Sequence, residues 1–600
     1  MRWFFAARSL DNQQLIDKQR LEMDYCDRFY LTTFSAVLAL LSLVFLGYLI
    51  WQGVEAFTGF SPNGIPQGLW GFFGGVQWRP EQLDLFGLLP LLSTSLAVSA
   101  GALIVALPLA LVTGLVVAEL VPQAMIARVR GVADVMAALP SVVYGAAGLL
   151  WIVPLLEKIP AFASGLSLAA AMLVVGLMLL PWLVSVVIRA VHSVPDGLRA
   201  AARNSGASTI QIWWRVTLPA AWPRIRIGVL QALVRALGEA TAVCMVAGNS
   251  PQLSLWLTDS VRSISATLLL EMGFASGRHG ELLLSLGLVL LAMVIVIQLF
   301  ILRLRRFQGE QAEKNKESYS RSLDFGSLAE KLLAGGLMLI AGAVFIAWAG
   351  SLAVIIFKGA WVLIFNAGHL VSMNMLYSGM VSAILMIIPM ALAAPAGTSI
   401  AVFLHYYPHR PAFISRSGLL IDSLNGIPSI VYGLFGLLVF SRLFGLGQSL
   451  LAGCLTLAVL LLPELVRGAR QAFEAVPPRL APAGIALGAS RRQAILQLAM
   501  PAARGGLMAA LCRGAGRMAG ETAPVILTVG IARSLTRDIS LFHSARPLSV
   551  HIYFAAQEAL GSSGIDPVYA ALAVLTGFVL IMHFLAYAIS HQGRKSHDSD

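Results

Sequence analysis

Arg235-Ala-Leu-Gly-Glu239 and Arg517-Met-Ala-Gly-Glu521 decide how this chain is read, because each closes one copy of a repeated segment. The offset between them is 282 positions (517 minus 235). The same offset carries Leu179-Leu-Pro181 onto Leu461-Leu-Pro463, Val194-Pro195 onto Val476-Pro477, Gly206-Ala-Ser208 onto Gly488-Ala-Ser490 and Pro219-Ala-Ala221 onto Pro501-Ala-Ala503. About 65 residues align without a gap, roughly a third of them identical, which is the mark of an internal duplication. Upstream the offset becomes 288 (427 minus 139): Leu139-Pro-Ser-Val-Val-Tyr-Gly145 pairs with Ile427-Pro-Ser-Ile-Val-Tyr-Gly433, and Asp134 with Asp422.

The residues around these copies have a membrane composition. Of 600 residues, 58% are hydrophobic and 12% charged, with a mean hydropathy of +0.79, whereas soluble domains are close to half apolar and about a quarter charged. Stretches long enough to cross a bilayer predict an all-α polytopic protein of about twelve transmembrane helices. They fall at residues 31–52, 88–118, 132–155, 166–190, 225–248, 282–303, 332–356, 375–403, 419–440, 449–466, 507–531 and 568–590. With the N-terminus inside, about 30 of the 42 Lys and Arg lie on the cytoplasmic side and about 9 outside, as the positive-inside rule requires. The net charge of +12 therefore reflects topology, and nucleic acid is not an expected partner. Each half then holds an even number of spans, so the copies enter the membrane in the same direction and both termini are cytoplasmic.

Five segments follow. Residues 1–30 form a cytoplasmic leader bearing Arg2, Arg8, Lys18, Arg20 and Arg28, without the apolar core of a cleavable signal. Residues 31–304 and 331–592 are the two repeated membrane halves, 305–330 a basic solvated linker, and 593–600 a cytoplasmic tail. Cys26, Cys244, Cys454 and Cys512 are scattered, which suggests neither a disulfide framework nor a zinc site. No metal or cofactor is expected. A G-x-x-x-x-G-K-[ST] phosphate loop is absent, so ATP is expected on another polypeptide, and no nucleophile and base constellation points to an enzyme.

Three repeated motifs carry the functional expectations. The stretch Val194 to Arg224 and its copy Val476 to Arg504 read as helix, glycine turn, helix, ending before Pro219 or Pro501. Gly206, Ala207 and Ser208, with Gly488, Ala489 and Ser490, are the repeated turn residues of this segment. Arg235 and Glu239 lie four residues apart on one helix face, as do Arg517 and Glu521, with Arg513 a turn earlier. Charges at membrane depth must face the bundle interior or a wet cavity and pair. As a structural pair they would lock the helix. As a pathway, guanidinium forks suit a tetrahedral oxyanion, and three arginines against two glutamates leave one net positive charge. In P-S-[VI]-V-Y-G, Pro140 and Pro428 kink a span. Ser141, Tyr144, Ser429 and Tyr432 then either line the pathway or pack helices together.

These residues resemble the permease pair of the Pst phosphate transporter family, fused on one chain. The first half is PstC-like through Leu139 to Gly148 and Arg235 to Glu239. The second is PstA-like through Ile427 to Gly436, Arg517 to Pro524 and Leu548 to Tyr553. The resemblance implies two parallel six-helix type I ABC permease (MetI-like) halves in a bacterial inner membrane, importing inorganic phosphate. It implies PstB-like ATPase subunits at the cytoplasmic face and a PstS-like periplasmic phosphate-binding protein. It also links Arg235, Glu239, Arg517 and Glu521 to phosphate passage. The glycine-turn segments resemble the family's coupling loop, although Ala200 and Pro482 stand where that loop has glutamate. The residues alone leave open another oxyanion (sulfate, molybdate or phosphonate), a secondary anion transporter, or a sensor scaffold.

Overall fold

The computed structural model describes residues 69–80, 85–309, 328–365, 373–407, 411–532, 539–559 and 565–598, with Gly47 and Trp51. The leader at 1–30, most of the expected span at 31–52, most of the linker and the last two residues of the tail lie outside the described residues. In the first half a short helix, Leu69–Gly74, precedes a small antiparallel ribbon, Trp78–Arg79 paired with Leu85–Phe86, a strand element that the helical pattern did not anticipate. The helices that follow are α1 Leu89–Leu120, α2 Gln123–Ala137, α3 Ser141–Ala147, which continues through a π-helical turn, Gly148–Ile152, into a short helix, Val153–Glu157, then α4 Leu168–His192, α5 Asp196–Asn204, α6 Thr209–Ile212, α7 Leu218–Leu237, α8 Thr241–Val246, α9 Ile264–Glu271 and α10 Gly277–Gly309. The second half contributes α11 Leu328–Phe365, α12 Met373–Tyr406, α13 Pro411–Asn425, α14 Ser429–Gly436, α15 Leu450–Glu474, α16 Leu480–Ala486, α17 Arg491–Gln493, α18 Met500–Gly520, α19 Ala523–Thr528, α20 Leu548–Glu558 and α21 Asp566–Asp598.

Among the described residues, eight helices are long and apolar enough to cross a membrane, and two further bent pairs pass the same test. The eight correspond to the expected spans beginning at 88, 166, 282, 332, 375, 449, 507 and 568. They show why membrane helices associate without a polar face to turn outward. In α1, Ser95, Ser99, Ala102, Ala106 and Ala110 are all buried, a stripe of small side chains that lets α4 approach closely. Their hydroxyls are satisfied within the helix, Ser95 donating to the Leu91 carbonyl and Ser99 to that of Ser95, each at 2.7 Å. The corresponding pair in the second half is α12 on α15.

The two expected spans at 132–155 and 419–440 are bent rather than continuous. Their arms meet at 82° between α2 and α3 and at 91° between α13 and α14. The break falls at Pro140 and Pro428, whose backbone is extended (ψ 143° and 142°), since a proline ring excludes the carbonyl of a preceding helical turn. The spans at 225–248 and 507–531 are also interrupted: α7 stops at Leu237 and α18 at Gly520, and short helices α8 and α19 resume after Ala240 and Thr522. Beyond these interruptions the duplication is detailed. The Ser167 and Ser449 hydroxyls cap α4 and α15 by accepting the Ala170 and Ala452 N–H groups. Ser95 and Ser382 likewise accept the Ile264 and Leu548 N–H groups. One apolar core runs through both halves, joining Val142, Met245 and Leu290 to Leu434, Leu527 and Tyr553.

Candidate functional site

Each Arg-x-x-Gly-Glu segment ends its helix against the other half. A Cβ on Gly238 would lie 2.6 Å from the Pro428 ring, and one on Gly520 would meet the ring of Pro140. The glycines are there because only a missing side chain allows this approach. The helix end of one half is thereby seated on the proline bend of the other, in both directions. The carbonyls exposed by the two breaks are satisfied from afar: the Ser265 hydroxyl donates to Glu239 O at 2.7 Å and the Ser549 hydroxyl to Glu521 O at 2.9 Å. Such partners are what permit irregular backbone at membrane depth.

The charged side chains converge at this crossing, but the two copies use them differently. Arg235 donates from Nη2 to the carbonyl of Ala137 at 3.2 Å, capping the C-terminal end of α2. The Glu239 carboxylate accepts the Ala242 N–H at 3.2 Å and so starts α8. Arg517 is held between two carboxylates, Nη1 to Glu464 Oε2 at 2.6 Å and Nε to Glu521 Oε1 at 3.3 Å. Arg513 also interacts with Glu464. Arg517 and Glu521 lie close enough to Arg235 to act on it electrostatically, so the pairs form one charged layer.

Glu464 changes the charge balance expected from the sequence. With Arg235, Arg513 and Arg517 facing Glu239, Glu464 and Glu521, the layer carries no net charge rather than one positive charge. The residue follows Pro463 of the repeat directly and lies inside an expected span. Its copy at the 282 offset is Trp182, so a comparison of shared motifs passes over it.

The aromatic hydroxyls of the proline motif are spent on the bend. Tyr144 donates to the Met136 carbonyl at 2.8 Å and Tyr432 to the Leu424 carbonyl at 2.9 Å, each reaching eight residues back across the break. They staple the two arms. Ser429 begins α14 at the second bend. A second charged layer, also missed, involves the paired aspartates. Asp134 accepts the Ser185 hydroxyl at 2.6 Å and lies 3.7 Å from Arg189. Asp422 accepts Arg467 and Arg305, both at 2.6 Å. Arg305 was placed at the start of a solvated linker. Instead α10 runs on to Gly309, and this arginine binds the first half to the second.

The glycine-turn segments form at one end of the bundle. Gly206 (φ 82°) and Gly488 (φ 97°) take the left-handed conformation that turns α5 into α6 and α16 into α17. Ser208 with Gln211 and Ser490 with Gln493 form matching capping boxes. The following helices do not stop before the prolines. A π-helical turn, Trp213–Thr217 or Ala494–Ala499, precedes Leu218-Pro219 or Met500-Pro501, and its wider hydrogen-bonding accommodates the missing N–H. The first segment is latched to α1 by Arg199, which meets Glu119 at 3.4 Å, both side chains buried. At Ala481, the copy of Arg199, no such latch is possible, and Arg491 lies over the Tyr407 ring. Among the described residues, no group of three or more His, Cys, Asp or Glu could hold a metal ion.

Comparison with known proteins agrees with the duplication. The family model of the binding-protein-dependent transport system inner membrane component matches twice, at residues 110–309 and 393–595. A probable ABC transporter permease protein, YqgH, of Bacillus subtilis is 30% identical over 300 residues, covering 50% of this chain and 95% of its own length. The phosphate transport system permease protein PstC of Pasteurella multocida is 30% identical over 257 residues, covering 39% of this chain and 80% of its own. A PstA homolog of Mycoplasma pneumoniae is 33% identical over 209 residues, 34% of this chain and 32% of its own length. The chain is a multi-pass membrane protein belonging to the binding-protein-dependent transport system inner membrane components, with that domain present twice.

Proposed function

We propose that this chain is the membrane-channel subunit of an ATP-driven importer of inorganic phosphate, its first half doing the work of a PstC-type subunit and its second that of a PstA-type subunit. The observation that carries the reading is the reciprocal crossing of the two Arg-x-x-Gly-Glu helix ends over the two proline bends. Relatives named as phosphate permeases supply the substrate. Permanent guanidinium charge tempered by carboxylates, as gathered at the crossing, suits an oxyanion that must leave as well as enter. Arg235, Glu239, Arg513, Arg517 and Glu521 form this passage. Ser141 and Ser429 lie at its margins, and Tyr144 and Tyr432 hold its walls.

The glycine-turn segments receive PstB-like ATPase subunits. Support comes from large apolar side chains left exposed on them: Leu198, Trp214, Ile485 and, at 90% exposure, Leu487. A PstS-like binding protein docks at the opposite end. The basic linker and both termini face the cytoplasm, as the Lys and Arg distribution requires. The chain itself hydrolyses nothing. Reconstitution with a phosphate-binding protein and a Walker-type ATPase tests this directly. Labelled phosphate should accumulate in proteoliposomes only with ATP, and sulfate should not compete. Sulfate-driven ATP hydrolysis with no response to phosphate would refute the choice of substrate, and uptake persisting without the ATPase would refute the ABC mechanism.

A further inference from the structure

Glu464 takes a donor on one of the two edges by which Arg517 can hold an oxyanion. A guanidinium recognises a tetrahedral oxyanion through two adjacent N–H donors. Arg517 has two such edges, each sharing Nη2: Glu464 takes Nη1 of one at 2.6 Å and Glu521 takes Nε of the other at 3.3 Å, so an oxyanion that docks on either edge meets a carboxylate already there. The two carboxylates differ in origin. Glu521 belongs to the repeated motif and lies on the same helix as Arg517, whereas Glu464 comes from α15 and is replaced by Trp182 in the first half. They differ in access too: the Glu464 side chain is 29% exposed against 13% for Glu521. Glu464 also has a second cation in reach, because Arg513 stands one helical turn before Arg517 and interacts with it. The first half has neither component, with Gln231 at the position of Arg513.

We propose that Glu464 is a displaceable counter-ion of the passage: an arriving oxyanion takes its place on Arg517, Glu464 shifts to Arg513, and its return to Arg517 expels the anion. This rests on reading the crossing as an oxyanion passage and adds how that passage avoids trapping its cargo. The empty layer is neutral, so no arginine is left bare at membrane depth. The loaded layer gains only the anion's own charge. The exchange belongs to the second half alone, which gives the path one release point instead of two.

The test uses the complete transporter, with ATPase and binding protein, in nanodiscs and proteoliposomes. Binding of phosphate, sulfate and molybdate is titrated on wild type, Glu464→Gln, Glu464→Asp and Arg513→Gln. Removing the competing charge in Glu464→Gln should tighten binding of the transported anion about tenfold and slow turnover at saturating substrate. Glu464→Asp should restore both values towards wild type. Arg513→Gln, which removes the alternative partner, should weaken anion binding. Unchanged affinity in Glu464→Gln overturns the counter-ion role, as does lost assembly without tighter binding. If the wild type binds sulfate or molybdate in place of phosphate, the choice of substrate fails, and the Glu464→Gln comparison on that anion still decides the inference. Binding of none of the three, by wild type or Glu464→Gln, overturns the inference as well.

Discussion

At the scale of single residues, the crossing depends on atoms that are missing as much as on charges that are present. Adding a methyl group at Gly238 puts it 2.6 Å from Pro428, with ring and backbone to displace rather than a flexible tip. Gly238→Ala and Gly520→Ala should each cost about 1–3 kcal/mol by overpacking. This would be read as a lower unfolding temperature of the purified complex together with lost uptake. Gly131→Ala, with nothing within 4 Å of the added carbon, should be silent or slightly stabilising. The tyrosines make a separate prediction. Tyr144→Phe and Tyr432→Phe each remove the bond that ties the two arms of a proline bend, at about 0.5–1.5 kcal/mol, because the Met136 and Leu424 carbonyls keep the N–H groups of Leu139 and Ile427. The two losses should be similar, because the two staples are the same in both halves. A large loss from one substitution and none from the other would contradict the equivalence.

At the scale of elements, the copies keep the same helices but secure them differently. The first coupling segment is tied to α1 by a buried ion pair, Arg199 with Glu119, while its copy has Ala481 and places Arg491 over the Tyr407 ring just past α12. Breaking a buried pair by removing one partner leaves the other charge without water, at about 3–5 kcal/mol. Arg199→Ala should therefore loosen the first segment, uncoupling ATP hydrolysis from uptake, and Arg199→Met with Glu119→Leu should regain most of the stability. Ala481→Ser should leave the coupling ratio unchanged. The glycine turns and proline kinks were legible in the sequence because each is a local device of a few residues. The interruptions after Leu237 and Gly520 were not, because the groups that stabilise them, Ser265 and Ser549, arrive from helices later in the chain. Arg305 was misread for a related reason. Its basic neighbourhood matches a linker, and its partner Asp422 lies 117 residues away.

At the scale of the whole molecule, the fused chain holds two specialised halves around one crossing, and its apolar core is continuous across them. Most of this plan was readable from the repeat, which gave the parallel halves and the arginine and glutamate pairs. The neutral charge balance was not, because Glu464 has no copy and repeats reveal only what is shared. Contacts such as Trp151 Nε1 to the Tyr569 hydroxyl at 3.0 Å join the halves without the linker. Cutting the chain between residues 310 and 327 and co-expressing the pieces should accordingly restore uptake, whereas either piece alone should give none. The central claim is that one oxyanion path runs through the crossed Arg-x-x-Gly-Glu segments. Its most direct test is ATP-dependent phosphate uptake by the reconstituted complex carrying Arg235→Gln, Arg517→Gln or both. With charged hydrogen bonds contributing about 1.5–3 kcal/mol each, uptake should fall at least about tenfold per substitution while the complex stays assembled. Unchanged uptake in the assembled double variant would contradict it.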